Sequence, residues 1–281
     1  MSVPGQPTGR DERWVSDEAT AAWQRTEAVR REALGAVTEA MLDLAGVGPG
    51  ARVLDVAAGG GGQTLVAARS VGPTGSVVAV DISAAMLESA REAVQRAGLT
   101  NVVTHPVDVA SLDLEPSSFD AAICRYALML FPQVPQALAE IRRMLKPGGR
   151  FAALVFAAPE RNPMFALPAG IIRRRGRLPL PGVGEPEEFA LSGPGLLQGA
   201  LEAAGFREVM VRAIPIAYEC ESLLDVMTFQ RDLIYVGNLM AQLPAPDCDA
   251  AWREIEQAWG DFAGPAGFYI PGEALLGGGV N

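Results

Sequence analysis

One histidine (His105), one lysine (Lys146) and three cysteines are all that a chain of 281 residues offers of those three residue types. Cys124, Cys220 and Cys248 are too far apart for metal-ligand spacing and form no disulfide framework. No metal site is expected, and the cysteine usage fits a reducing, cytoplasmic setting. Positive charge is also scarce, with 23 Lys and Arg against 33 Asp and Glu, a formal charge of −10. A field of that sign repels phosphate backbones and anionic lipid, so neither nucleic acid nor a membrane surface is an expected partner. No stretch reaches the roughly 18 uninterrupted apolar residues of a membrane span. The segment Met1 to Arg10 is rich in Pro and Gly without an apolar run, so no signal peptide is expected.

What the chain does have is apolar material: 49% hydrophobic residues against 20% charged, enough for a sheet covered by helices on both faces. Its length fits one α/β core with additions. From Asp17 to Ala45, Leu34, Val37, Met41 and Leu44 share one face, the pattern of an amphipathic helix. Arg52-Val-Leu-Asp-Val56 then reads as a short strand running into the glycine loop Ala57-Ala-Gly-Gly-Gly-Gly-Gln-Thr64, with helix-compatible Leu65 to Ser70 after it. Further strands are predicted over 76–80, 102–107, 119–124 and 150–156. Helices fall between them: one capped by Ser83 with Gly98 at its end, another over about 135–145. Strands and helices alternating at this spacing imply right-handed crossovers and a doubly wound, mostly parallel sheet. Beyond Ala157 the pattern loosens. Residues 159–190, rich in Pro, Gly and Arg, read as a loop. A helix opens at Ser192 and Pro194, 209–218 resembles a long strand, 222–263 has helical spacing, and 274–280 is a last short strand.

Asp55, Asp81 and Asp108 stand 26 and 27 residues apart, each at or beside the C-terminal tip of a predicted strand. In an open α/β sheet a ligand binds outside those tips, where strand order reverses, so the glycine loop and the next two tips share one crevice suited to a nucleoside. Gly59 and Gly61, lacking Cβ atoms, let the loop backbone approach a ligand at a helix start, where N–H groups point outward. Asp81 lies where an acid accepts both hydroxyls of a ribose, and Asp108 is placed for an adenine amino group. Asp55 has two readings, a cap for backbone N–H groups of the turn or a ligand contact.

Five segments in this order resemble the successive motifs of class I S-adenosylmethionine-dependent methyltransferases, especially the ubiquinone/menaquinone-methyltransferase-like (type 11) group. They are Val53-Leu-Asp-Val-Ala-Ala-Gly-Gly-Gly61, Val77-Val-Ala-Val-Asp81, Pro106-Val-Asp-Val109, Phe119-Asp-Ala-Ala-Ile-Cys-Arg125 and Leu145-Lys-Pro-Gly-Gly-Arg150. The resemblance implies a seven-stranded Rossmann-like sheet with N-terminal helices and a helical insertion before the last strand. It also implies S-adenosyl-L-methionine as cofactor. The methionine part then lies on the loop of Asp55, Ala57, Ala58, Gly59 and Gly61, the ribose on Asp81, and the adenine on Asp108 and Val109 between Ile82 and Met86. Cys124 and Arg125 edge the cofactor where substrate enters. Ala57 departs from the family's first loop glycine, and its methyl tightens the turn.

The expected organisation is a helical cap over 1–46, a cofactor-binding core over 47–158, and a C-terminal half (159–281) whose loop 159–190 and insertion 222–263 form a substrate lid. Trp23, Tyr126, Met129 and Tyr235 are the candidate substrate residues, although aromatic and methionine side chains at such positions commonly serve packing. His105 reads as structural or exposed rather than as a base, and Arg173-Arg-Arg175 as a solvated cluster. The expected reaction is methyl transfer to the O, N or C atom of a small molecule, with no catalytic base assignable and a homodimer allowed. Two other classes stay open: a cyclase or non-catalytic module that binds the same cofactor, and an NAD(P)-dependent oxidoreductase. The single lysine leaves no Tyr-x-x-x-Lys arrangement for a short-chain dehydrogenase.

Overall fold

In a computed structural model of the chain, residues 14–182 and 184–281 are described; the first thirteen residues of the expected cap lie outside them. The strands are β1 (Arg52–Val56), β2 (Ser76–Asp81), β3 (Val102–Pro106), β4 (Phe119–Arg125), β5 (Leu145–Phe156), β6 (Arg207–Cys220), β7 (Ala263–Gly264) and β8 (Gly267–Val280). They form one sheet in the order β3-β2-β1-β4-β5-β8-β6, with the two-residue β7 pairing β8 off this path. The pairs from β3 through β5 are parallel, and β8 is antiparallel to both β5 and β6. Strand order reverses between β1 and β4, so the crevice predicted from sequence opens there.

Alternation along each strand divides the core in two. Val53, Val77, Ile123 and Leu154 face α2 (Glu27–Leu44), α3 (Gly62–Val71) and the helices of the C-terminal half. Leu54, Val78, Cys124 and Val155 face α5 (Val134–Met144) and α7 (Leu196–Ala203). α4 (Ala84–Arg96) starts from Ser83, whose hydroxyl accepts from the Met86 N–H as expected of a cap.

Besides a fifth strand that begins at Leu145 and not Arg150, and a helix that begins at Leu196 and not Ser192, three differences from the sequence reading bear on the packing. The N-terminal helix is two helices, α1 (Asp17–Arg25) and α2, separated at Thr26. The last strand begins seven residues earlier than expected, because β6 supplies a continuous ladder from Cys220↔Phe268 onward that carries Pro271 and Gly272 as strand residues. The third concerns 159–190, which contains a helix, α6 (Pro163–Gly176), rather than a loop throughout. Pro163 suits the first turn, where no N–H is needed, but Pro168 stands inside the helix. Proline there removes the donor that Met164 C=O would otherwise use. Gln230, fully buried on α8 (Leu223–Asp232), replaces it, donating Nε2–H to the Met164 carbonyl at 2.8 Å. A distant side chain thus repairs what proline breaks, and no local pattern could foretell it. Arg174 and Arg175, in the last turn, pair with Glu254 of α10 (Ala245–Ala258), so part of the expected solvated cluster ties two helices together.

The insertion predicted over 222–263 is helical, made of α8, α9 (Ile234–Met240) and α10. Among the described residues no helix is long and apolar enough to cross a membrane. Gln230→Met keeps the volume but strands the Met164 carbonyl in an apolar site. It should cost about 1–3 kcal/mol of stability in urea unfolding; an unchanged midpoint would show that the repair carries no weight.

Candidate active site

Glycine is required at two loop positions for different reasons. Gly61 has φ +84°, and a Cβ there would lie 2.8 Å from Ala90 Cβ, so it lets α3 and α4 pack closely. Gly59 has φ +54° and its open face receives the indole of Trp23. Ala57, where the family has its first glycine, also takes a left-handed φ of +54°, a conformation that costs an alanine on the order of 1 kcal/mol. Ala58 is buried and donates its N–H to Val80 O at 3.0 Å. Gly59 donates its N–H to Asp81 Oδ2 at 2.8 Å, and Ser83 its N–H to Asp81 Oδ1 at 2.9 Å. Asp81 therefore ties the β1 loop to the β2 tip while keeping a lone pair on each oxygen for further donors. Burial raises its pKa, opposed by those N–H groups.

Asp55 holds the turn, but through side-chain donors and not the backbone N–H groups expected of a cap. It is fully buried, and its oxygens accept from Gln63 Nε2 at 3.0 Å and Thr64 Oγ1 at 2.6 Å, bracing α3 against β1 beneath the loop. Burial pushes it up to about 6 against the pull of those two hydrogen bonds. At the β2 tip, Ile82 is 40% exposed beside half-buried Asp81. Asp108 is exposed and caps Ala110 N–H at 2.8 Å with one oxygen only. Met86 and Val109 are buried under this surface. An apolar platform between two carboxylates is thus open at the β2 and β3 tips.

Arg125, at the β4 tip, donates to Thr38 Oγ1 of α2 at 2.9 Å, and its guanidinium lies beside Gly62 at the start of α3, where Glu27 also converges. Burial lowers its pKa, with Glu27 the leading opposing charge. Cys124, expected with it at the cofactor edge, points to the opposite sheet face by strand alternation. It is fully buried against the α5 side, and burial holds its thiol up at about 12. Met129 is likewise core, 1% exposed.

Tyr126 differs from both. Its φ is +54°, its hydroxyl is buried with no hydrogen-bond partner among the described residues, and its ring lies 4.5 Å from Phe156. From Phe156 the aromatic contacts run through Phe165 (4.4 Å) and Tyr218 (6.1 Å) to Phe229 (5.8 Å). This apolar wall beyond the β4 and β5 tips was visible in sequence only as scattered aromatics. Tyr235 stands apart, with Arg173, Glu187 and Glu188 as its polar surroundings and its phenol raised by burial to about 12. His105 is exposed on β3, as expected of a histidine without a catalytic part.

Trp23 is the main correction. Expected as a substrate contact, it lies on the glycine backbone itself, 3.3 Å from where a Gly59 Cβ would be. α1 carries it there, held by Arg25 to Asp232 of α8 (2.7–3.0 Å) and by Gln24 to Ser89 of α4 (2.7 Å). Sequence reasoning also passed over Glu27, Arg30 and Thr38, whose places on an amphipathic helix look like ordinary solvent-facing positions.

The sheet order, the glycine loop and the acids at successive strand tips define a Rossmann-like methyltransferase fold. Residues 48–167 match the family described as "Methyltransferase domain". The ubiquinone/menaquinone biosynthesis C-methyltransferase UbiE of Pseudomonas aeruginosa is 38% identical over 122 residues, 43% of this chain and 48% of that one. The chain thus spans about half the length of the curated relatives it matches. Two solved structures share the fold. The YcgJ protein of Bacillus subtilis has a TM-score of 0.57 at 22% identity, covering 88% of this chain and 98% of the other. A Haemonchus contortus phosphoethanolamine N-methyltransferase 2, in complex with phosphomonomethylethanolamine and S-adenosylhomocysteine, has a TM-score of 0.61 at 18% identity, covering 99% of this chain and 61% of the other.

Two measurements check this geometry. Ala57→Gly relieves the left-handed alanine and should raise stability by about 0.5–1 kcal/mol in urea unfolding, the gain left after the greater chain entropy of glycine. Asp55 has a folded pKa above its unfolded one, so its ionisation weakens the fold as pH rises from about 4 to 6, and the penalty is constant above that. Asp55→Asn should therefore gain roughly 1 kcal/mol relative to the parent between pH 5 and pH 8. A difference that does not change with pH would place the brace in a neutral or solvated site.

Proposed function

We propose that this chain binds S-adenosylmethionine across the tips of β1, β2 and β3 and transfers its methyl group to a small-molecule acceptor. The observation that carries this reading is Asp81: one carboxylate holds the glycine loop and the β2 tip together and keeps a free lone pair on each oxygen at the mouth of the crevice. The residues suit the cofactor at its adenosine end, and the glycine loop suits its methionine end once the indole of Trp23 is displaced. Asp81 suits the ribose hydroxyls, Ile82 the adenine face and Asp108 its amino group. The glycine backbone at the start of α3 suits the methionine tail.

The cofactor supplies a sulfonium methyl that a nucleophile displaces directly. The protein's part is then alignment and exclusion of water. Orienting two partners well contributes up to roughly 7–11 kcal/mol of barrier lowering. The largely buried aromatic run of Tyr126, Phe156, Phe165, Tyr218 and Phe229 supports an apolar acceptor site beyond the β4 and β5 tips, with Arg125 as the polar group next to it. α1 and the 222–263 insertion, joined through Arg25 and Asp232, form the lid over the sheet tips. The acidic charge balance, the free cysteines and the shape of the crevice support a cytoplasmic enzyme acting on small molecules rather than on nucleic acid.

Transfer of a labelled methyl group from S-adenosylmethionine to an acceptor panel tests the activity. Bound donor that stays unconsumed across a broad panel would reduce the reading to a cofactor-binding module or cyclase. Asp81→Ala should weaken S-adenosylhomocysteine binding at least tenfold, about 1.4 kcal/mol; calorimetry returning the parental Kd would remove the ribose assignment.

A further inference from the structure

The cofactor tail has a charge requirement that the residues above do not meet. Resting on Gly59 to Gly61, it ends in a zwitterion, an α-ammonium and an α-carboxylate. A desolvated carboxylate needs a cation. The adjacent elements offer two buried or partly buried arginines, Arg125 and Arg30, and Arg125 is turned toward Thr38 and the start of α3.

Arg30 is 7% exposed. Its guanidinium stacks on the Trp23 ring with Cζ 3.7 Å from the centroid, and the pyrrole side of the same indole lies against Gly59 and Gly60. One indole therefore touches both the glycine loop and the buried guanidinium. Arg30 donates to Thr26 Oγ1, to Trp23 O at 2.6 Å and to Glu27 Oε2 at 3.0 Å. Its Nε is buried without an acceptor among the described residues. Burial brings its pKa down to about 10, with Glu27 the leading opposing charge. Glu27 lies one helical turn before Arg30 on α2, and its other oxygen, Oε1, sits 3.1 Å from where a Gly62 Cβ would be.

We propose that Trp23 is a placeholder in the methionine slot, and that Arg30 and Glu27 are the receptor for the carboxylate and ammonium of the cofactor tail once the indole leaves. With the indole out, the start of α3 lies on one side of the site and an arginine with an unsatisfied donor beside it. Both favour an anion. Arg30 and Glu27 now satisfy each other, and a zwitterion of opposite orientation replaces that pairing without leaving either charge alone. The means of departure is also present. Thr26 separates α1 from α2 without a side-chain cap on α2, and α1 is a short helix whose polar tethers are the bidentate Arg25–Asp232 pair and the Gln24–Ser89 hydrogen bond.

This inference rests on the proposed function, and a pair of ligands separates the two. S-adenosylhomocysteine carries the amino-acid tail, whereas 5′-methylthioadenosine keeps the adenosine and sulfur but lacks it. Arg30→Met should weaken S-adenosylhomocysteine at least tenfold in calorimetry and leave 5′-methylthioadenosine within twofold. Glu27→Gln should show a smaller loss with the same selectivity, and it serves as the test if Arg30→Met melts early. S-adenosylhomocysteine should also change the tryptophan emission of the parent, and the change should vanish in Trp23→Phe. Equal losses for both ligands, no loss for either, or an emission change that survives in Trp23→Phe would overturn the assignment while leaving the proposed function standing. If neither ligand binds the parent protein, the proposed function falls first and this inference with it.

Discussion

The carboxylate of Asp81 holds the loop after β1 to the tip of β2. By accepting Gly59 N–H and Ser83 N–H it sets the height of the glycine loop above the sheet, and it anchors the residue whose hydroxyl caps α4. Asp55 acts below the same loop, fixing α3 through Gln63 and Thr64. The two acids divide the work: one is sealed in and braces, the other is half-exposed and keeps lone pairs for a ligand. Without this scaffold Ala57 would have no reason to remain in a left-handed conformation.

Above the scaffold, the N-terminal helices do more than cover the sheet. α2 brings Glu27, Arg30 and Thr38 to the β1 and β4 tips, and α1 lays an indole over the glycine backbone. The surface around Ile82 and Asp108 is open, while the glycine loop is covered by the protein's own indole ring. The crevice is therefore asymmetric.

Much of this was legible in the chain. Buried parallel strands are short apolar runs, loops at their C-terminal ends carry glycine and acid, and helix starts carry caps such as Ser83; each is a local rule, so β1, β2, β4, α4 and the three aspartates could be placed from spacing. Where a signal was misread, the cause was a partner far off in sequence. Pro168 suggests a break until Gln230, 62 residues later, supplies the missing donor. Pro271 and Gly272 suggest a turn until β6 pairs with them. Cys124 and Arg125 are neighbours with opposite fates because a strand sends successive side chains to opposite faces.

By itself the sequence determined the class of fold and the set of groups at the strand tips, because both follow from periodicity and from the conformations that glycine, proline and aspartate favour. Only the tertiary structure decided which acid braces and which stays open, that the Tyr126 to Phe229 aromatics form one wall, and that Trp23 rests between the glycine loop and Arg30. Those outcomes depend on burial and on contacts between residues far apart in the chain, and no short window of sequence contains both partners.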